Sequence, residues 1–228
     1  MKLLLHTCCA PCSSAIIEAL LKEGVRPTVY YCNPNIYPDE EYFKRKDECS
    51  RYAAECGLDM VDDDYDHAAW LSAVAGMENE PERGARCAEC FRYRLLRSAR
   101  YALENGFDTL ATTLASSRWK SLDQINAAGQ WAVDQALAQV RGLDAASVAG
   151  SVASGTLAAS AADSGASDVA PLQWWPRNWR KGGLQERRNA LIKEKGFYNQ
   201  LYCGCEFSRL AMERKTEAHP IENPAKNQ

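Results

Sequence analysis

Seven cysteines in three short groups hold most of the reactive chemistry of this chain: Cys8, Cys9 and Cys12 in HTCCAPCSS, Cys87 and Cys90 in RCAEC, and Cys203 and Cys205 in YCGC. Thiolates are soft ligands, and there are more here than one tetrahedral ion takes, so the pattern points to an iron–sulfur cluster with a second metal beside it. Adjacent cysteines do not close readily on one ion, but they reach two irons of a cubane, and a CxxC pair supplies the others. The expected cluster ligands are therefore Cys8, Cys9, Cys87 and Cys90. Cys203 and Cys205, separated by Gly204, suit a tight loop over a metal, with Cys12 as a third ligand. Spacing alone leaves plainer readings open: a thioredoxin-like disulfide at Cys87 and Cys90, a structural zinc on mixed pairs, and a redox-active pair at Cys203 and Cys205. Cys49 and Cys56, about 10 Å apart in rise along one predicted helix, are read as packing. Cys32 stays outside the ligand set as a small buried hydrophobe.

Bringing three distant groups together requires a scaffold that returns repeatedly to one edge. Residues 2–5 read as a buried strand, 14–22 as a helix stopped by Gly24, and 28–32 as a second strand. After the NPNIYP turn come a charged amphipathic helix at 39–55 and a third strand at 58–61. Helices are expected at 67–75, 88–104, 122–136 and 184–195, with strands at 107–112 and 172–175. This alternation implies a doubly wound α/β layer with a mainly parallel sheet, because parallel neighbours need crossover connections. Ligands in such sheets collect beyond the carboxyl ends of strands, where Cys8, Cys9 and Cys12 follow strand one. Cys87 and Cys90 are expected to straddle a helix start, where unpaired N–H groups and the helix dipole favour thiolates.

The 228 residues, 46% hydrophobic, suffice for one core, so a single α/β domain over 1–228 is expected. Residues 143–170, rich in Ala, Ser and Gly and lacking aromatic and basic residues, read as a flexible insertion, and the chain from about 215 as a disordered tail. MKLLLH runs straight into cysteines without a signal-peptide core, and no apolar run approaches about 18 residues, so neither secretion nor a membrane is expected. In a reducing cytoplasm, the expected compartment, clustered cysteines serve as ligands or redox groups. The formal charge of −3 gives no global signature of nucleic-acid binding, yet Arg177, Arg180, Lys181, Arg187 and Arg188 crowd into a local basic region.

The motifs HTCCAPCSS, YYCNPNIYP, RCAECFRYRL, TTLASSRWKSLDQI and GFYNQLYCGCEFS, in that order, resemble the QueH family of cobalamin-independent epoxyqueuosine reductases. The resemblance runs from residue 2 to about 210, interrupted by the Ala/Ser/Gly-rich stretch. It implies a cytoplasmic enzyme that removes the epoxide oxygen of epoxyqueuosine in the anticodon loop of a tRNA. It also implies a fold similar to ATP-pyrophosphatase and related nucleotide-binding (HUP) proteins, with the C-terminal Cys loop closing over the site. The family's 4Fe-4S cluster falls on Cys8, Cys9, Cys87 and Cys90, and a neighbouring mononuclear metal, expected to be iron, on Cys12, Cys203 and Cys205. Cobalamin is not expected. Neither is ATP, because CCAPCSS stands where those relatives carry a Ser/Gly-rich phosphate loop.

Reducing an epoxide to an alkene consumes two electrons and two protons and releases water. The cluster is expected to relay electrons from a donor protein or other reductant, while the second metal binds the epoxide oxygen. Tyr37, Arg118 through a water, and His6 are the candidate proton donors. Single-stranded RNA is read by stacking and phosphate contacts, which makes Trp179, Arg180, Lys181 and Arg118 the candidate RNA-binding residues. Two other functions stay open: a sulfur transferase of the ATP-pyrophosphatase type, and a non-catalytic zinc or iron–sulfur protein that binds RNA or passes electrons.

Overall fold

The computed structural model describes residues 1–117, 120–142 and 171–218. The first half runs β1 (Leu3–His6), α1 (Ala10–Lys22), β2 (Thr28–Tyr31), α2 (Asp39–Glu55), β3 (Met60–Asp62), α3 (His67–Ala73) and α4 (Ala85–Glu104). Then follow β4 (Thr109–Thr112), a 3-10 turn (Thr113–Ser116), α5 (Leu122–Val140), β5 (Gln173–Trp174), α6 (Leu184–Lys195) and α7 (Glu206–Ala218).

Leu3, Leu4 and Leu5 are all buried, as a strand covered on both faces requires. β1 therefore takes the centre of the sheet. It pairs with β2 through Leu5↔Val29 and with β4 through Leu5↔Ala111. All pairings are parallel and the order is β3-β2-β1-β4-β5, so the expected α/β class is the one observed. α1 packs on α2 and α6, while α4 packs on α3 and α5, giving two helical layers. The winding direction reverses between β1 and β4, and ligand sites form beyond the strand ends at such a switch point. Among the described residues no helix is long and apolar enough to cross a membrane.

Element boundaries differ from expectation where they matter for the site. α1 begins at Ala10 rather than 14, because Pro11 fits a first helical turn whose N–H groups have no partner anyway. α4 begins at Ala85 rather than 88. α7 was not expected, and it extends to Ala218, past the position near 215 where a tail was anticipated. The expected insertion at 143–170 and residues 219–228 lie outside the described residues.

β5 is anchored by Trp174, whose ring lies so close to Gly129 of α5 that a Cβ there would overlap it. Gly129→Ala is expected to destabilise the fold by about 1–3 kcal/mol through overpacking. The measurement is the urea midpoint, which should fall at constant m; an unchanged midpoint would show that the ring has room to move.

Candidate metal centre

Cys8 and Cys9 occupy the turn between β1 and α1, at the switch point. Cys9 is the N-cap of α1, and its carbonyl accepts from the N–H groups of Cys12 and Ser13 at 3.2 Å each, which curls Cys12 back over the pair. The three sulfurs lie within 4.8 Å of one another, with those of Cys8 and Cys9 3.9 Å apart. The positive end of the α1 dipole faces them. Hydrogen bonds from Cys12 and Cys9 hold the Cys8 thiol well below the usual range against its burial, with Lys120 and Arg94 assisting. The same bonding raises Cys9 well above that range, and hydrogen bonding to Cys8 pushes Cys12 up to about 11.

His6 anchors this turn from beneath. Fully buried, it donates from Nε2 to the Cys32 carbonyl at 3.1 Å and accepts at Nδ1 from the Thr112 hydroxyl at 2.7 Å. Burial, with Arg94 nearby, pushes its pKa down to about 3, so the ring is neutral. On the neighbouring strand end, Thr113 Oγ1 accepts from the Cys8 N–H at 3.4 Å.

Cys87 and Cys90 lie within the opening turns of α4. Because the helix starts early, the Cys87 N–H already donates to the Gly84 carbonyl at 3.1 Å, which corrects the expectation that free N–H groups face these thiols. The Arg83 N–H donates to Cys87 Sγ instead, at 3.3 Å. Cys90 is buried against Trp70, Val74 and Cys205. Trp70 Nε1 is buried without a hydrogen-bond acceptor and lies close enough to Cys90 to favour its thiolate. Burial raises the Cys87 and Cys90 thiols and pushes Cys205 up to about 11.

The YCGC loop is tied to α2. Arg45, buried and paired with Glu41, donates from Nη1 to the Cys203 carbonyl at 3.1 Å and from Nη2 to the Tyr202 carbonyl at 3.4 Å. The Tyr37 N–H donates to the Gly204 carbonyl at 2.9 Å. Gly204 has φ +130°, and a Cβ there would sit 3.1 Å from both Arg45 Nη1 and Ile36 Cγ1, so the residue between the cysteines must be glycine.

Two recesses share these thiols. The larger, about 600 Å³, has Cys8, Cys9, Cys12 and Cys203 in its wall, and the narrower, about 40 Å³, has Cys87, Cys203 and Cys205. Cys203 and Lys120 line both. Burial opposes the Lys120 charge, but the Cys203, Cys8 and Cys12 sulfurs prevail and raise its pKa. Arg94 is 2% exposed; it donates to the Cys32 carbonyl at 3.1 Å and to Asn33 Oδ1, and among the described residues no carboxylate pairs with it. Burial opposes its charge too, and the Cys90, Cys8, Cys32 and Cys203 sulfurs support it.

A buried cation without an anion costs several kcal/mol. Neutral thiols do not compensate it, whereas metal-held thiolates do. The donor set and its two cations therefore fit an anionic thiolate-bound centre. One tetrahedral ion holds thiolates about 3.8 Å apart at bonds of about 2.3 Å, while a cubane spreads them over separate irons. Among the described residues no other three Cys, His, Asp or Glu side chains gather as closely as Cys8, Cys9 and Cys12. The Cys12 sulfur gathers with those of Cys8 and Cys9, Cys205 packs against Cys90, and Cys203 borders both recesses and so links the two groups.

Several expected substrate-side residues are placed elsewhere. Trp179 is 1% exposed and donates from Nε1 to the Thr112 carbonyl at 3.1 Å, so it offers no face for a base. Arg180 clamps the chain by donating to the Ala115 and Lys120 carbonyls at 3.1 and 2.8 Å. Lys181 is exposed, and Arg118 lies outside the described residues. Tyr37 stacks on His67 at 5.3 Å and lines neither recess, so it is not placed to deliver a proton there, and His6 is committed to the Cys32 carbonyl. Sequence reasoning missed Lys120, Arg94 and Arg45. Arg94 had a readable signal, since it falls four residues after Cys90 on the buried face of α4.

Residues 3–144 and 151–211 match the family described as "Epoxyqueuosine reductase QueH", so the match breaks only at 145–150 and resumes inside the stretch expected to be an insertion. The epoxyqueuosine reductase QueH of Histophilus somni is 39% identical over 91% of this chain and 72% of its own length. Those of Acinetobacter baylyi and Haemophilus influenzae are also 39% identical over 91% of this chain, covering 80% and 71% of their lengths. Among solved structures, the U34-tRNA thiolase NcsA from Methanococcus maripaludis with its [4Fe-4S] cluster aligns at a TM-score of 0.43 and 12% identity, over 96% of this chain and 67% of that one.

Replacing Arg94 by Met is expected to weaken retention of a thiolate-held metal by about 3 kcal/mol, the scale for breaking a buried ion pair. The check is iron per chain after anaerobic challenge with a chelator, where wild-type retention in Arg94→Met would refute the counter-charge role.

Proposed function

The chain belongs to the QueH family of epoxyqueuosine reductases, and we infer that it is an oxidoreductase that removes the epoxide oxygen of epoxyqueuosine in tRNA to give queuosine. The observation that carries this reading beyond the family match is the gathering of Cys8, Cys9, Cys12 and Cys203 with Lys120 around one cavity of nucleoside size, at the switch point of the sheet. Cys8, Cys9, Cys87 and Cys90 would hold a 4Fe-4S cluster, and Cys12, Cys203 and Cys205 a second metal, iron in this reading. Together these would supply single electrons and a Lewis acid for the oxygen.

The remaining work falls to the chain. α7 and residues 199–202 wall the outer side of the cavity where the nucleoside would enter. Lys120 Nζ sets a fixed positive charge beside the thiols, where negative charge develops on the departing oxygen. The Arg94 guanidinium balances the thiolates from the buried side, and the unpartnered Trp70 Nε1–H near Cys90 would donate to that sulfur once it is a thiolate. Arg45 and Gly204 fix the Cys203 backbone so that its side chain borders both recesses. The electrons come from a donor protein or other external reductant, and the compartment is the cytoplasm.

Anaerobic incubation of the reconstituted protein with reductant and tRNA carrying epoxyqueuosine should yield, by nucleoside mass analysis, a product lighter by one oxygen; unchanged substrate would reject the activity. Cys9→Ser and Cys90→Ser are expected to lose cluster and turnover together. Cys203→Ser should keep the cluster and lose turnover, and full activity in that variant would remove Cys203 from the centre.

A further inference from the structure

The wall of the larger cavity has two characters. Thiols and Lys120 form one part of it, while Arg188 of α6, Leu201, and Met212 and Lys215 of α7 form the other. Away from this lining, several cations are matched with carboxylates. Arg187 pairs with Glu18 and Glu194, Lys195 with Glu55, Arg177 with Glu23 and Arg209 with Glu213. Arg188 and Lys215, which line the cavity, pair with no carboxylate among the described residues. Neutral side-chain oxygens hold Arg188 in place, those of Asn189 and Asn199 at 3.1 and 3.3 Å. A guanidinium oriented by neutral acceptors keeps its charge for an anion. Beside it Leu201 is 78% exposed, an apolar side chain at a polar mouth, on a loop fixed through the Tyr202 and Cys203 carbonyls by Arg45. The carboxylate in this lining, Glu82, is exposed.

We propose that this rim is the RNA-contacting face: Arg188 and Lys215 hold phosphates flanking the nucleotide that enters the cavity, and Leu201 packs against a neighbouring unstacked base. The proposal rests on the reductase reading and deepens it. A cavity of about 600 Å³ admits a nucleoside but not a folded anticodon loop, so the target must leave the loop's stack while its backbone stays at the mouth. There the backbone meets Arg188 and Lys215, two cavity-lining cations with no carboxylate partner among the described residues, the combination by which single-stranded loops are held. The rim lies on α6, α7 and the strip between them, whereas Trp179 and Arg180 are committed to the fold.

The test is fluorescence anisotropy of the protein with tRNA carrying epoxyqueuosine, without reductant, across a series of salt concentrations. Arg188→Gln/Lys215→Gln should bind about tenfold more weakly near physiological salt, and its log–log salt slope should be shallower by about 1.4, as for two lost single-strand phosphate contacts. Leu201→Ala should weaken binding at unchanged slope, and Lys193→Gln, an exposed cation of α6 outside the rim, should bind as wild type. A melting temperature equal to wild type certifies the fold. Should the double variant unfold, Lys215→Gln alone is read, with a slope shallower by about 0.7. Wild-type affinity and slope in the rim variants, or a slope change confined to Lys181→Gln, would overturn the proposal. Because no turnover is needed, an inactive wild type would refute the reductase reading and leave the rim result standing, while an active enzyme with unaltered rim slopes would refute the rim alone.

Discussion

A guanidinium and an ammonium without carboxylate partners among the described residues, Arg94 and Lys120, stand among the cysteines of this protein. The Arg94 guanidinium cannot shed its proton, so its charge persists whatever the state of the thiols. In an interior of low polarity such a charge demands an anion, and the sulfurs supplied by β1–α1, α4 and the YCGC loop are what surrounds it. This constraint links fold to function. A chain that buries Arg94 and half-buries Lys120 among cysteines is organised around thiolates, and several thiolates persist together when a metal holds them.

The rest of the architecture serves to bring those sulfurs to one place. A three-leucine strand buried on both faces centres the sheet, and the reversal of strand order beside it opens the edge where Cys8 and Cys9 emerge. His6 is a neutral peg that fixes the turn beneath them through Thr112 and the Cys32 carbonyl. From the other side Arg45 grips the YCGC backbone, and the small apolar group of Trp70, Val74, Cys90 and Cys205 joins α3, α4 and the start of α7. The same loop that positions Cys203 carries Leu201 to the mouth, so a substrate contact there is mechanically continuous with the thiols below.

Much of this was legible in the sequence, for identifiable reasons. Alternating strands and helices, with Gly24, Gly57 and Gly106 just past the ends of α1, α2 and α4, fix the doubly wound class because local periodicity and topology agree there. The cysteine groups were visible because their residue type is rare and their spacing tight. What escaped was long-range. Arg94 and Arg45 sit in helices whose other faces are charged, so their burial emerges only when α4 meets the sheet and α2 meets the YCGC loop. Trp179 looked like a stacking platform, yet its indole is consumed by a carbonyl on β4, a pairing 67 residues away in sequence. α7 is foreshadowed by Phe207, Leu210 and Ala211 at helical spacing and by the Arg209–Glu213 pair, but no element is expected there from the sequence, and a tail only from about 215.

The most direct test of the central claim compares thermal unfolding of the protein reconstituted anaerobically with iron and sulfide against the same protein after chelation, with iron and acid-labile sulfide counted in each. If buried cations require a thiolate-held centre, the reconstituted protein binds both elements and melts at a higher temperature, and chelation removes the gain and the metal together. A colourless protein that takes up neither element and melts at the same temperature in both states would contradict the account.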